Sequence, residues 1–212
     1  MGRAVRGAIL AGGEARRFGG GPKGLAEVGG ARILDRLVAV LRDALGADPI
    51  LIANDPEATE WRPDLRVVAD LRPGTGTLGG LYTAVMADPH PPDPTPVVVV
   101  AWDMPFVPPE LIRHLASRVE SCDVVIPASP SHRGVEPTCA AYSPVCGPAI
   151  ERALDHDDLR AVAFHDAVET CILPGDEVGR FGDPATMFFN VNTPDELERA
   201  NCLWRRQESS RS

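Results

Sequence analysis

Five consecutive residues, Val97–Ala101, constrain the fold more than any other stretch of the chain. Four valines in a row favour extended backbone. Strand side chains point alternately to opposite faces, so an unbroken apolar run is apolar on both. Such a strand belongs inside a sheet with helices packed on each side. At five residues it is far short of the ~20 that a membrane span needs. It ends in Trp102-Asp103-Met104-Pro105, which brings a carboxylate to the edge of a hydrophobic layer.

Other elements alternate around this strand. Strands are predicted at residues 5–10, 49–53, 66–69, 123–127, 138–142 and 168–173. A brief strand or turn is predicted at 25–28, and a short extended piece at 188–192. Ile33, Leu34, Leu37, Val38, Leu41 and Leu45 recur at helical spacing, and Gly46 closes that helix. Further helices are predicted at 78–87, 108–119 and 145–155. A last one is capped by Thr193 and opens on Pro194. Residues 55–64 read as a loop with at most one turn of helix, and the prolines of 89–96 exclude regular structure. The alternation predicts an α/β fold with a mainly parallel central sheet covered on both faces. One domain spans residues 1–204, and 205–212 are expected to be a frayed tail.

Composition narrows the function. With 212 residues and a net charge of −9, the chain lacks the overall basic face of a general nucleic-acid binder. Nothing at its start reads as an export signal, so a cytoplasmic, membrane-free protein is expected. Five cysteines without Cys-x-x-Cys spacing suggest reduced, packed thiols rather than a disulfide frame or zinc site. The scattered histidines leave carboxylate-bound Mg²⁺ as the metal to expect.

Positive charge is gathered locally. The first apolar run stops at Gly12-Gly13 and is followed by Arg16, Arg17, Gly20, Pro22 and Lys23. Arginines among glycines usually make a solvated turn. Directly after a strand, they instead suit a phosphate loop at its carboxyl end. The other predicted strands end on Asn54, Asp70 and Asp103, so one sheet edge collects an anion loop, an amide and two carboxylates. That set suits phosphoryl or nucleotidyl transfer, with Arg17 and Lys23 on phosphate and Asp103 holding Mg²⁺. A rival lies in Gly74-Thr-Gly-Thr-Leu-Gly79, a Gly-x-Gly-x-x-Gly motif that could serve a nicotinamide-dependent oxidoreductase. It does not open the fold as that fingerprint usually does, and it leaves the basic loop without a role.

Leu10-Ala-Gly-Gly13, Arg16-Arg-Phe-Gly-Gly20, Lys23-Gly-Leu25, Val68-Ala-Asp70, Leu78-Gly-Gly80, Asp103-Met-Pro105 and Asn190-Val-Asn-Thr-Pro-Asp-Glu-Leu197 together resemble the molybdenum cofactor guanylyltransferase (MobA) family, within the MobA-like nucleotidyltransferases. The likeness runs from about residue 6 to 200. It implies a three-layer, Rossmann-like nucleotidyltransferase fold. It also implies transfer of GMP from GTP to molybdenum-bearing molybdopterin, with release of pyrophosphate. By position, Leu10, Ala11, Gly12 and Gly13 would contact guanine and phosphate, and Arg17, Gly20 and Lys23 the triphosphate. Asp70 would lie near the guanosine, with Asn54 on the nucleotide side. Asp103 would bind Mg²⁺, and Arg160, Asn190 and Asn192 would serve the acceptor. Three positions depart from the family pattern: Pro22 replaces an aspartate, Ile52 an asparagine, and Glu136-Pro137 stands where His-Pro is common. A CTP-dependent relative, or one using a sugar or polyol phosphate, is the nearest alternative. A monomer is expected, with transient contact to other molybdenum cofactor proteins.

Overall fold

The computed structural model describes residues 4–12, 22–87, 95–131 and 134–211. In chain order the strands are β1 (Arg6–Leu10), β2 (Glu27–Val28), β3 (Ala31–Arg32), β4 (Ile50–Ile52), β5 (Val67–Val68), β6 (Val97–Ala101), β7 (Val124–Pro127), β8 (Cys139–Tyr142) and β9 (Thr170–Leu173). The α-helices are α1 (Ile33–Leu45), α2 (Ala58–Trp61), α3 (Gly76–Met86), α4 (Pro109–Arg118), α5 (Cys146–Asp155), α6 (Gly175–Val178), α7 (Pro184–Met187) and α8 (Pro194–Arg211). Seven strands form one sheet in the order β5-β4-β1-β6-β8-β7-β9. Strands β5, β4, β1 and β6 run parallel, as do β7 and β9, whereas β8 is antiparallel to both neighbours. The mainly parallel α/β sheet is therefore as the alternation predicts, with one reversed strand.

The central strand behaves as its composition requires. Val98 and Val100 join one buried cluster with α1 and α4, while Val97 and Val99 join the other with α3 and α5. All four are at most 1% exposed, and each buried valine contributes about 1.5–3 kcal/mol of transfer free energy. Helix α1 turns Ile33, Leu34, Leu37, Val38 and Leu41 inward, and Gly46 ends it with φ of 72°, the left-handed cap that glycine adopts at low cost.

Several local expectations change. Helix α3 starts at Gly76, two residues before the predicted start, because Gly74 (φ 80°) and Gly76 (φ 62°) turn the chain sharply. Segment 188–192 forms no strand; the Val191 amide instead donates to the Asp103 carbonyl at 2.9 Å. Helix α8 continues to Arg211, through residues expected to fray. Backbone-directed bonds such as Ser209 Oγ to the Arg205 carbonyl (2.9 Å) support this last turn.

The expectation of five reduced thiols is also corrected. Cys122 and Cys171 form a disulfide with a Cα–Cα distance of 6.0 Å. Cys122, just before β7, meets Cys171 in β9 across 49 residues of sequence, within the Cα separation a disulfide tolerates. Among the described residues, no helix is long and apolar enough to cross a membrane.

Helix α8 closes the molecule over its early residues. Asn201 accepts from the Gly29 amide (2.9 Å) and donates to the Glu27 carbonyl (3.1 Å). The Trp204 ring fills the space where Gly29 lacks a side chain; a Cβ there would sit 2.3 Å from the indole. The Arg36 guanidinium lies 3.7 Å above the centre of the same ring, a cation–π contact that ties α1 to α8.

Candidate active site

Backbone bonds beyond the regular ladders hold the strand ends together. Ala11 donates to Ile52 (2.8 Å), Ala53 to Val68 (3.0 Å) and Trp102 to Leu10 (3.1 Å). A cleft of about 1350 Å³ opens beyond this edge. Its walls include Leu10, Ala11, Gly12, Lys23, Asn54, Asp70, Asp103, Asn190 and Asn192, so nine sequence-predicted residues share one site. Gly13, Arg17 and Gly20 lie outside the described residues.

Lys23 reaches the cleft from a single 3-10 turn, Lys23–Leu25. Pro22 precedes that turn with φ of −65°, the value its ring imposes, and its carbonyl accepts from the Leu25 amide at 3.0 Å. The family departure at Pro22 thus fits the turn. Gly24 packs against the Trp102 ring so closely that a Cβ would lie 2.2 Å from it. Trp102 in turn stacks on Trp61 with 5.2 Å between ring centres. This aromatic floor fixes the backbone from which Lys23 projects.

The Lys23 ammonium donates to Asp103 Oδ2 at 2.5 Å and to Asn192 Oδ1 at 2.7 Å. Both side chains of the ion pair are largely buried, 15% exposed for Lys23 and 9% for Asp103. Asp103 Oδ1, also buried, has no hydrogen-bond partner among the described residues. A buried charged oxygen without a partner is costly, and a hard divalent cation would satisfy it. Among the described residues, no cluster of three or more His, Cys, Asp or Glu could hold a metal unaided. One carboxylate plus substrate phosphates is how Mg²⁺ is commonly held, so the donor set fits that ion.

On one side of Asp103, Asn54 and Asp70 form a reciprocal pair. Asn54 Nδ2 donates to Asp70 Oδ2 at 2.6 Å, and the Asp70 amide donates to Asn54 Oδ1 at 2.8 Å. Ile52, at the second departure, is a buried strand residue that also touches the cleft, and Asn54 supplies the amide two residues later. Gly74, Gly76 and Gly80 line the same wall. Here the Gly-x-Gly-x-x-Gly motif follows β5, the edge strand of the sheet. A dinucleotide fingerprint belongs at the first βα turn of such a sheet, which in this chain carries the glycine-basic loop after β1.

The other side joins Asn190 and Asn192, expected on the acceptor side, to a segment around Glu136 for which the sequence suggests no role. Glu136, only 8% exposed, accepts at Oε1 from the Thr138 hydroxyl (2.6 Å) and amide (3.2 Å). Ser131, Val135, Pro137, Asn190 and Asn192 complete this wall. Asn190 Nδ2 donates to the Phe188 carbonyl at 3.0 Å. Arg160 is not among the cleft residues; its side chain is 74% exposed and pairs with Asp158 at 2.6 Å. Trp61 and Glu136 are the wall residues whose contribution sequence reasoning missed. Trp61 sits in a polar stretch that reads as loop, and Glu136 stands out only as a departure from the family pattern, with no role attached to it. Cys139 adjoins this wall but is fully buried, which drives its thiol well above the ordinary range and leaves it protonated.

Comparison with known proteins agrees with this geometry. Residues 7–169 match the family described as MobA-like NTP transferase domain. A probable molybdenum cofactor guanylyltransferase from Pelotomaculum thermopropionicum is 34% identical over 93% of this chain and 92% of its own length. A molybdenum cofactor guanylyltransferase from Desulfosudis oleivorans is 32% identical over 94% of this chain and 95% of its own. The crystal structure of molybdopterin-guanine dinucleotide biosynthesis protein A from Archaeoglobus fulgidus superposes with a TM-score of 0.78 at 26% identity. That match covers 95% of this chain and 99% of the other.

Proposed function

The chain belongs to the MobA-like NTP transferase family, and from that premise we propose that it transfers GMP from GTP to molybdopterin carrying molybdenum, releasing pyrophosphate. The observation that carries this reading is the arrangement Lys23–Asp103–Asn192, with Asp103 Oδ1 buried at the end of β6 and unpartnered among the described residues. Nucleotidyl transfer needs fixed positive charge on the leaving phosphates and little covalent chemistry from the protein.

Lys23 binds the triphosphate and stabilises charge that builds on the departing pyrophosphate. Asp103 orients Lys23 through Oδ2 and offers Oδ1 to Mg²⁺, which when bound neutralises phosphate charge and helps align the reacting groups. Asn54 and Asp70 form the nucleoside wall. A terminal phosphate oxygen of the acceptor, already ionised near neutral pH, attacks the α-phosphorus in line, so no general base is required. The bond to the β-phosphate breaks as the new P–O bond forms. On this reading the enzyme works in the cytoplasm.

Pyrophosphate release with GTP, CTP, ATP and UTP, each with and without loaded molybdopterin, tests the assignment. Release with GTP that depends on the acceptor is expected. A preference for CTP would reassign the base, and no release with GTP and the loaded acceptor would overturn the reading.

A further inference from the structure

An ammonium carries three N–H donors, and in Lys23 two of them point at Asp103 and Asn192. We propose that Asn192 is the positioning residue of Lys23: its side-chain oxygen aims the ammonium so that the third N–H faces the polyphosphate. This assignment rests on the nucleotidyl-transfer reading and gives Asn192 a role on the nucleotide side in place of direct contact with the acceptor.

A lysine side chain is long and loses much rotamer freedom when fixed. One ion pair leaves the ammonium free to turn about the bond to Asp103. A second acceptor from a different segment removes that rotation. Asn192 can supply it because its own backbone is fixed. The Asn192 amide donates to Glu196 Oε2 at 2.7 Å, and the Glu196 amide donates to Thr193 Oγ1 at 3.2 Å. This is a variant of the cap that opens a helix, here α8: Thr193 caps the Glu196 amide, and the Glu196 carboxylate reaches back to the residue before Thr193. One residue earlier, Val191 is bonded to the Asp103 carbonyl. The carboxylate and the amide that share Lys23 are therefore locked to each other through the backbone.

The same helix also grips the chain on the far side of Lys23. Asn201 and Trp204 hold Glu27 and Gly29 in the β2–β3 hairpin. The Lys23 tip and the hairpin that follows its turn are thus both referenced to α8.

Isothermal titration calorimetry without acceptor can test this, using inorganic tripolyphosphate and GTP as separate ligands. The proteins are wild type, Asn192→Ala, Lys23→Met and the double variant. Asn192→Ala should weaken tripolyphosphate binding roughly tenfold, in keeping with loss of a bond to a charged group. In the Lys23→Met background the same change should add less than twofold, because its effect passes through Lys23. Asn192→Leu, which keeps the volume and removes the oxygen, should give the same pattern. Unchanged tripolyphosphate affinity in both Asn192 variants, with a raised KM for the acceptor, would overturn the proposal. So would equal weakening in both lysine backgrounds. Tripolyphosphate has no base, so the cycle reads Asn192 whichever nucleotide is preferred; GTP against CTP reads the base choice separately.

Discussion

The two walls of the cleft are built differently. The wall proposed for the nucleoside comes from the ends of consecutive parallel strands, with Asn54 after β4, Asp70 after β5 and the glycines leading into α3. The opposite wall joins the approach to the reversed strand β8 with segment 188–192, and its key residue meets Lys23 across 169 positions. Repetition of one local unit makes the first wall. The second depends on the finished tertiary structure, so side chains there can change with fewer consequences for the sheet. The family departure Glu136-Pro137 lies on that second wall, whereas the departure at Ile52 is compensated within the first by Asn54.

This contrast is open to direct challenge. Both walls meet at Asp103, so Asp103→Ala should cost most: a fall of about 10²–10³ in kcat/KM with the fold intact, read by pyrophosphate release and circular dichroism. A variant that keeps full activity would remove Asp103 from the centre of the comparison. Gly24→Ala comes next, since the added Cβ meets the Trp102 ring at 2.2 Å. Overpacking of this kind costs about 2 kcal/mol, and thermal or urea unfolding should register it alongside reduced turnover from a displaced Lys23. An unchanged melting temperature would show that the aromatic floor is not rigid.

The remaining predictions separate the walls. Asn54→Ala removes both bonds that orient Asp70. KM for GTP should rise about tenfold, the worth of one or two net hydrogen bonds, with KM for the acceptor unchanged. A shift in the acceptor term instead would merge the two walls. Arg160→Ala should have the smallest effect. Its solvent-exposed pair with Asp158 contributes little to the fold, so stability should hold. Any rise in KM should be a few-fold and confined to the acceptor. An effect on GTP would overturn its expected link to the acceptor.

Legibility in the sequence follows the same division. The four valines of β6, the helical spacing of α1 and the polar residues at strand ends obey short-range rules, so the layers and Asp70, Asp103 and Lys23 could be read directly. The bond between Lys23 and Asn192, the disulfide spanning 49 residues and the place of Trp61 against Trp102 depend on which distant segments meet. No local pattern encodes those meetings. The last turns of α8 were missed for another reason. Residues 205–211 are charged and serine-rich with no clear apolar stripe, so periodicity is silent where helical backbone bonds continue.

The grip of α8 on the β2–β3 hairpin sets an order of events during synthesis. A growing chain possesses Lys23 and Asp103 well before it possesses Asn192, Asn201 and Trp204. Contacts between segments this far apart in sequence carry a large loop-closure cost and form late. A ribosome-bound intermediate could therefore assemble the central strands and the nucleoside wall while the lysine still lacks its second support. On the proposed reading, Lys23 gains that second support only once the start of α8 has been made.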